Sequence, residues 1–554
     1  MLCSLHKNTP FIPARIHRAI MFTILGCALS SPAYAALNIP ITVNLSETVN
    51  VTGTPRIAVD VGGTTRYATY TSGTGSNALT FTLAPQAGDV DLDGVTVSSP
   101  IDLNGGTIKD VKGNNAALTF TPPGTTHVKV NYPSLGMDFV YDADGRYTLN
   151  GTAYNDLSSF LTAAGGSFTR ASIGTYFDST GTLQTAASGV PRFDYDPVTH
   201  AAKGILIEES RTNYIPNSSI VGGTSGTPGI VPTGWRTAGS AYTPLTRVLS
   251  YGTENGIPYI DISLSGTPTN ASHGYYFSDT TIIPAASGQS WTTSFYAKLI
   301  SGDGDTNVDM KVHIAGRDSG GTQLETSTTI FVPTSDMTRY KVTRTMTNAL
   351  TAYMTGAITF TWTIGQPVNF TVRLMAPQIE QGSFPTSYIP TTTAAVTRAA
   401  DSLIIPIGSW FNESEGTITT QGSIPYLGGS SFPTTAGFAS DNNNRMMLYI
   451  SDASSTDKKS AQIKVGGTYD FQYDSGVYSA GDLLKQGLSY ASNNSIAAMD
   501  GILSSVDNTV VIPTVSNLYL GKAYTSQYHL NGTMQKLKYY PTRVTDTQLQ
   551  LLTQ

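Results

Sequence analysis

Cysteine and charge are what this chain has least of. Its 554 residues include two cysteines, Cys3 and Cys27, and both precede residue 36. Lys7, Arg15, His17 and Arg18 come before an apolar stretch from Ala19 to Leu29, and Ala33-Tyr34-Ala35 then offers an Ala-x-Ala step. Basic, then apolar, then small residues is the order expected of a secretory signal peptide over 1–35, cleaved after Ala35. A mature chain starting at Ala36 has no thiol, so disulfides, cysteine nucleophiles and cysteine metal ligands are excluded. Ile24-Leu25-Gly26-Cys27 leaves a lipoprotein signal acylated at Cys27 as the alternative. The apolar stretch is well short of the roughly 20 residues that a spanning helix needs, and no later run approaches that length. Membrane insertion of the mature chain is not expected.

Charged residues make up 13% of the chain, against about 25% in ordinary domains. Three of the 32 basic residues and none of the 38 acidic ones lie in the first 35, so removing that segment takes the formal charge from −6 to −9. Such a chain lacks the basic footprint that nucleic acid or an anionic membrane requires. Hydrophobic residues at 40% and aromatics at 10% suffice for packed cores, which argues against disorder. Apolar residues spaced at 3.6 over a long window are also missing, so no substantial helix is expected.

The usual catalytic constellations are absent too. No Gly-x-Ser-x-Gly has the strand and helix that an exposed nucleophile needs, and no Gly-x-x-x-x-Gly-Lys-Ser/Thr exists to cradle phosphate. The seven histidines, His6, His17, His127, His200, His273, His313 and His529, are scattered, with none at metal-ligand spacing. A glycosidase needs two carboxylates facing one groove. Glu208-Glu209 point to opposite sides if extended and read as a solvated pair at a strand end. Glu413 and Glu415 share a strand face, with Glu415 in a structural position. No enzyme activity is expected.

What is present is β-structure. At about 150 residues per domain the length implies three or four domains. From Ile39 to Val130, period-2 runs such as Arg56-Ile57-Ala58-Val59-Asp60-Val61 are closed by Gly62-Gly63, Asp93-Gly94 and Asn104-Gly105-Gly106 turns. Val51-Thr52-Gly53-Thr54-Pro55, Gln86-Ala87-Gly88-Asp89 and Leu103-Asn104-Gly105-Gly106-Thr107 make 36–132 resemble bacterial immunoglobulin-like domains of surface proteins. Residues 133–212, with Phe168-Thr169-Arg170-Ala171-Ser172, Pro191-Arg192-Phe193-Asp194-Tyr195-Asp196 and Gly204-Ile205-Leu206-Ile207-Glu208-Glu209-Ser210-Arg211-Thr212-Asn213, resemble a connector found in phage-fibre-type proteins. Short alternating runs over 213–390 fit a jelly roll. Their close, Ala376-Pro377-Gln378-Ile379-Glu380-Gln381-Gly382, is similar to that of family-4/9-type carbohydrate-binding modules. A linker at 391–400 precedes 401–554, which resembles concanavalin-A-like lectin and laminin-G-like sandwiches through Trp410-Phe411-Asn412, Glu415-Gly416-Thr417-Ile418 and Leu530-Asn531-Gly532. Thr545 could cap a short terminal helix. The expected fold class is thus all-β, as tandem β-sandwiches after a signal peptide.

These resemblances imply glycan or polysaccharide binding by an exported, extracellular or cell-surface protein. Sugars present apolar C–H faces and a hydroxyl fringe, so exposed rings beside polar groups suffice to hold them. Trp235, after Pro232-Thr233-Gly234, and Tyr275 or Tyr276, which alternate across a strand, are the candidate platforms. Trp291, Trp362 and Trp410 read as core. Jelly-roll modules of this kind commonly hold a structural Ca2+, for which Asp261 and Glu380 are the candidate ligands. Asp441-Asn442-Asn443-Asn444 reads as a tight turn. The competing readings are a fibre or assembly component of prophage origin that binds no glycan, and, third, a polysaccharide-cleaving enzyme.

Overall fold

The computed structural model describes residues 22–23, 38–140, 146–238, 245–302, 307–428, 432–451, 456–524 and 528–554. The expected signal peptide, with Cys3 and Cys27, lies outside the described residues apart from Phe22 and Thr23, which pair with Val43 and Thr42. Among the described residues no helix is long and apolar enough to cross a membrane. The chain is almost entirely β, folded as tandem β-sandwiches, and divides into two compact units, 1–132 and 133–554.

In the first unit, alternation decides which side chains are buried. Ile57, Val59 and Val61 of the strand Arg56–Val61 are inside, as are Leu79, Phe81 and Leu83 of Ser76–Leu83. Successive side chains of a strand point to opposite faces, so one hydrophobic set fills one core. The Gln86–Asp89 motif has a structural use. Asp89 accepts from Arg66 Nη2 at 2.5 Å and from its Nε at 2.9 Å, and its other oxygen accepts the amide of Gln86, which pins the loop to the sheet.

The second unit has a topology that the linear reading divides differently. Residues 133–207, most of the separate connector expected over 133–212, supply strands to the sheets of the C-terminal sandwich. Leu135–Asp138 and Ala202–Ile207 both pair with Gly532–Tyr540, and Ser167–Thr169 pairs with Ser402–Pro406. A single core holds Leu135, Met137, Phe160 and Ile205 together with Ile405, Trp410, Phe438 and Leu537. The boundaries at 133–212 and 401–554 therefore cut through continuous sheets. The polypeptide in between is an insertion, entered by Arg211–Asn213 and left by Val396–Arg398, which pair with each other.

The insertion is a sandwich of its own. One sheet runs Thr246–Glu254, Ile257–Gly266, Val368–Gln381, Ser290–Gly302, Thr338–Thr345. The other runs Arg236–Ala238, Ser272–Tyr276, Tyr353–Trp362, Val308–Arg317, Gln323–Phe331, with Ile283–Pro284 as a sixth strand that also pairs with Tyr353–Trp362. Trp291, Phe295, Ile260, Ile358 and Phe370 fill the space between them. Two short helices complete the unit. Helix α1, Leu157–Ala164, starts at Asp156, whose carboxylate accepts the Ser159 amide at 2.8 Å, and stops at Gly165 in the left-handed region. Helix α2, Asp546–Thr553, is capped by Thr545 as expected.

Candidate functional site

Of the five residues singled out from sequence, four are committed to structure. Trp235 is 6% exposed. Its ring meets Phe277 edge-on at 4.9 Å and its Nε1–H donates to the Asn217 carbonyl at 2.8 Å. The expected sugar platform is a core residue with its one polar atom satisfied. Tyr275 is fully buried between His273 and Phe360. Asp261 is taken by Arg373, whose Nε and Nη2 lie 2.7 and 2.8 Å from its two oxygens. Glu380 is fully buried and accepts from the amide and hydroxyl of Thr386 at 2.9 and 2.5 Å. Arg373, opposite Asp261, and Glu380 stand seven residues apart on one strand. At about 3.3 Å per residue the two carboxylates are roughly 20 Å apart. They do not fit a shared Ca2+, and among the described residues no cluster of three His, Asp or Glu has metal-binding geometry. Tyr276 alone faces outward, half-buried on the six-stranded sheet.

Other expectations are met. Trp291, Trp362 and Trp410 are core residues. The carboxylate of Asp441 accepts the amides of Asn443 and Asn444, which closes a tight turn. Glu208, by contrast, is not solvated. It lies in a buried network with Arg192 at 2.8 Å and Arg398 at 3.1 Å, and Asp401 in the same network binds Arg192 at 2.6 Å and Arg170 at 3.1 Å. The four partners Arg170, Arg192, Arg398 and Asp401 are 0–1% exposed at their side chains.

Above this network the insertion and the C-terminal sandwich enclose a cleft of about 320 Å³. Its walls are aromatic: Tyr176, Phe177, Tyr296 and Tyr426. Alternation along Ser290–Gly302 sends Trp291 and Phe295 into the core and leaves Tyr296 outside, where it meets Phe177 edge-on at 5.9 Å. Arg339 sits 5.4 Å from the Tyr296 ring centre and donates to the Thr386 carbonyl and the Ser294 hydroxyl. Lys341 lies 4.4 Å from the centre of the Tyr426 ring.

Carboxylates line the cleft as well. Asp194 accepts the Phe177 amide at 2.9 Å and lies 4.0 Å from Lys203, which is 3.4 Å from Asp196. Burial raises the Asp194 carboxyl above its ordinary range, against the pull of Lys203. Burial alone would also raise Glu208, but Arg398 and Arg192, with Ser387, hold it down at about 2. Burial pushes the Tyr296 hydroxyl up to about 12, so it is a neutral donor near neutral pH. The cleft therefore offers ring faces, a protonated phenol, an arginine and carboxylates within one concavity, the composition of a small-molecule site. Sequence reasoning missed it because it forms between segments far apart in the chain. One signal was available: in Trp291-Thr292-Thr293-Ser294-Phe295-Tyr296 the alternation that buries Phe295 must expose Tyr296.

No protein-family model matches the chain, and no curated protein matches it. Among solved structures, it is similar to the N-terminal CBM22-1–CBM22-2 tandem domain of Paenibacillus barcinonensis Xyn10C, at 10% identity over 60% of this chain and 98% of that one, TM-score 0.18. Mouse laminin alpha1 chain domains LG4-5 match at 10% identity over 55% of this chain and 91% of that one, TM-score 0.18. Trypanosoma rangeli sialidase matches at 11% identity over 93% and 94%, TM-score 0.22. Superpositions this loose identify no equivalent site.

Proposed function

We propose that the protein is a non-catalytic glycan-binding protein, exported and acting by attachment at the cell surface or outside it. The observation that carries this reading is the cleft lined by Tyr176, Tyr296 and Tyr426, backed by the buried ring of Phe177, together with Arg339, Asp194 and Lys203. A pyranose stacks its C–H face on such rings while its hydroxyls bond to the charged and polar fringe, and neither interaction asks for an activated nucleophile. The volume suits one or two sugar rings, so the cleft reads as a site for the end or a short stretch of a glycan.

A second reading, glycoside cleavage, is favoured by one observation: Asp194, shifted towards its protonated form, shares the cleft with ionised carboxylates. Against it, both Glu208 oxygens are taken by Ser387, Arg192 and Arg398, and Asp196 accepts the amides of Val198 and Thr199. Neither is free to activate water.

A glycan array on the purified full chain, followed by calorimetry on the strongest ligand, tests the proposal. Tyr296→Ala and Tyr426→Ala should each weaken binding at least tenfold, because a stacked ring contributes about 1–2 kcal/mol or more when desolvated. Thermal unfolding should shift little for Tyr426→Ala, whereas Tyr296 also packs against the buried cluster around Phe177, so its variant's binding is read per folded molecule. Release of reducing ends from any bound polysaccharide, abolished by Asp194→Asn, would establish the enzymatic reading instead.

A further inference from the structure

The outward face of the six-stranded sheet carries positive charge that the described residues do not neutralise. Strand registers set Arg236 beside Tyr276, Tyr276 beside Ala357 and Ala357 beside His313, one row across four strands. Their neighbours Tyr275, Ile358 and Val312 fill the core, so this row points away from it. The Arg236 guanidinium lies 4.1 Å from the Tyr276 ring centre, and that of Arg317 lies 5.8 Å from the same centre. His313 meets the ring at 5.6 Å and bonds Thr326 Oγ1 at 2.9 Å.

Among the described residues neither Arg236 nor Arg317 has an acid. Arg317 donates to two neutral acceptors, Thr355 Oγ1 and the Gly321 carbonyl, each at 3.0 Å. Arg236 makes no side-chain hydrogen bond among the described residues, and its Nε is buried without an acceptor. The nearest carboxylates in sequence are otherwise engaged: Asp279 and Asp318 with amides of their own turns, Asp309 with Lys311 at 3.3 Å. Burial first, and then the charges of Arg317 and Arg236, hold His313 down at about 4. Two guanidiniums, Arg317 7% exposed and Arg236 partly exposed, converge on one ring with no counter-charge among the described residues, an arrangement that costs stability in the free protein and that an incoming oxyanion relieves.

We infer that this face is a second binding site, selective for an anionic sugar unit whose carboxylate or sulfate ester is held between Arg236 and Arg317, with Tyr276 beneath it. The sugar, though not the charge, rests on the glycan-binding reading above. A planar guanidinium pairs with either oxyanion through parallel N–H bonds, so the shared chemistry is the oxyanion and the assay distinguishes its source.

The experiment is calorimetry of the purified full chain against polygalacturonate and polysialic acid as carboxylate probes, dextran sulfate as the sulfate probe and dextran as the neutral control. Binding to at least one anionic probe is expected, tighter than to dextran and weakened by salt. Arg236→Gln and Arg317→Gln should each reduce it at least tenfold, and Arg236→Lys by less. Far-UV spectra and melting temperatures of the variants confirm folding. Absence of binding to all three anionic probes, or binding that both Gln variants retain, overturns the inference while leaving neutral-glycan binding at the cleft to stand or fall separately. Glutarate bound as tightly as glucuronate would retain the charge site and overturn its assignment to a sugar.

Discussion

Trp235 and Tyr296 are both aromatic residues in short polar contexts, yet one is core and the other lines a cleft. Trp235 fills space beside Phe277 and has its indole N–H satisfied. Trp235→Ala should therefore cost about 3–5 kcal/mol, read as a lower urea midpoint, with glycan binding per folded molecule unchanged. The buried charges argue the same way. Asp401 serves Arg170 and Arg192 together. Asp401→Ala leaves Arg170 without an acid and Arg192 and Arg398 sharing Glu208 alone, and should destabilise by about 3–5 kcal/mol. Glu208 adds a pH dependence. Its folded-state value of about 2 lies below its ordinary 4.5, so its ionised form contributes stability fully above about pH 4.5 and loses that contribution as pH falls towards 2. Urea midpoints taken between pH 6 and 3 should decline over the lower half of that range, and Glu208→Gln should flatten the decline. A midpoint that stays level would remove Glu208 from the account.

At the scale of the element, local rules were readable and pairings were not. The runs Arg56–Val61 and Ser290–Gly302 showed their strands by alternation, the Asp441 turn showed itself by composition, and Thr545 marked the start of α2. Each depends on residues within one or two turns of each other. Helix α1 escaped because its eight residues are too few for a helical period to stand out, although Asp156 and Gly165 bracket it. The identity of Leu135–Asp138 as a partner of Gly532–Tyr540 depends on two segments some 400 residues apart, and alternation says only that each needs a partner. The candidate site was hidden for the same reason. Glu208 looked like a surface charge because Arg192, Arg398 and Asp401 are distant in sequence, and the cleft's rings come from three separate segments.

For the whole molecule, the consequence is that 401–554 is not a self-sufficient lectin-like domain. Expressed alone it would lack the strands that cover Gly532–Tyr540 and the core residues Leu135, Met137, Phe160 and Ile205. An uncovered central strand is an aggregation template. Size-exclusion chromatography and far-UV spectra should show 401–554 aggregated or unfolded, and 133–554 monomeric and cooperative in unfolding. A well-folded 401–554 fragment would contradict the shared core. The insertion leaves and rejoins the second sandwich through one antiparallel clasp, Arg211–Asn213 against Val396–Arg398, tied by Thr212 to Thr397 and by Arg398 to the Glu209 carbonyl. Were a ligand held by the insertion pulled by flow, tension would enter the sandwich through two adjacent covalent strands at once. Each would bear part of the load, where a single tether would bear it all, and the buried arginine cluster sits at the root of both.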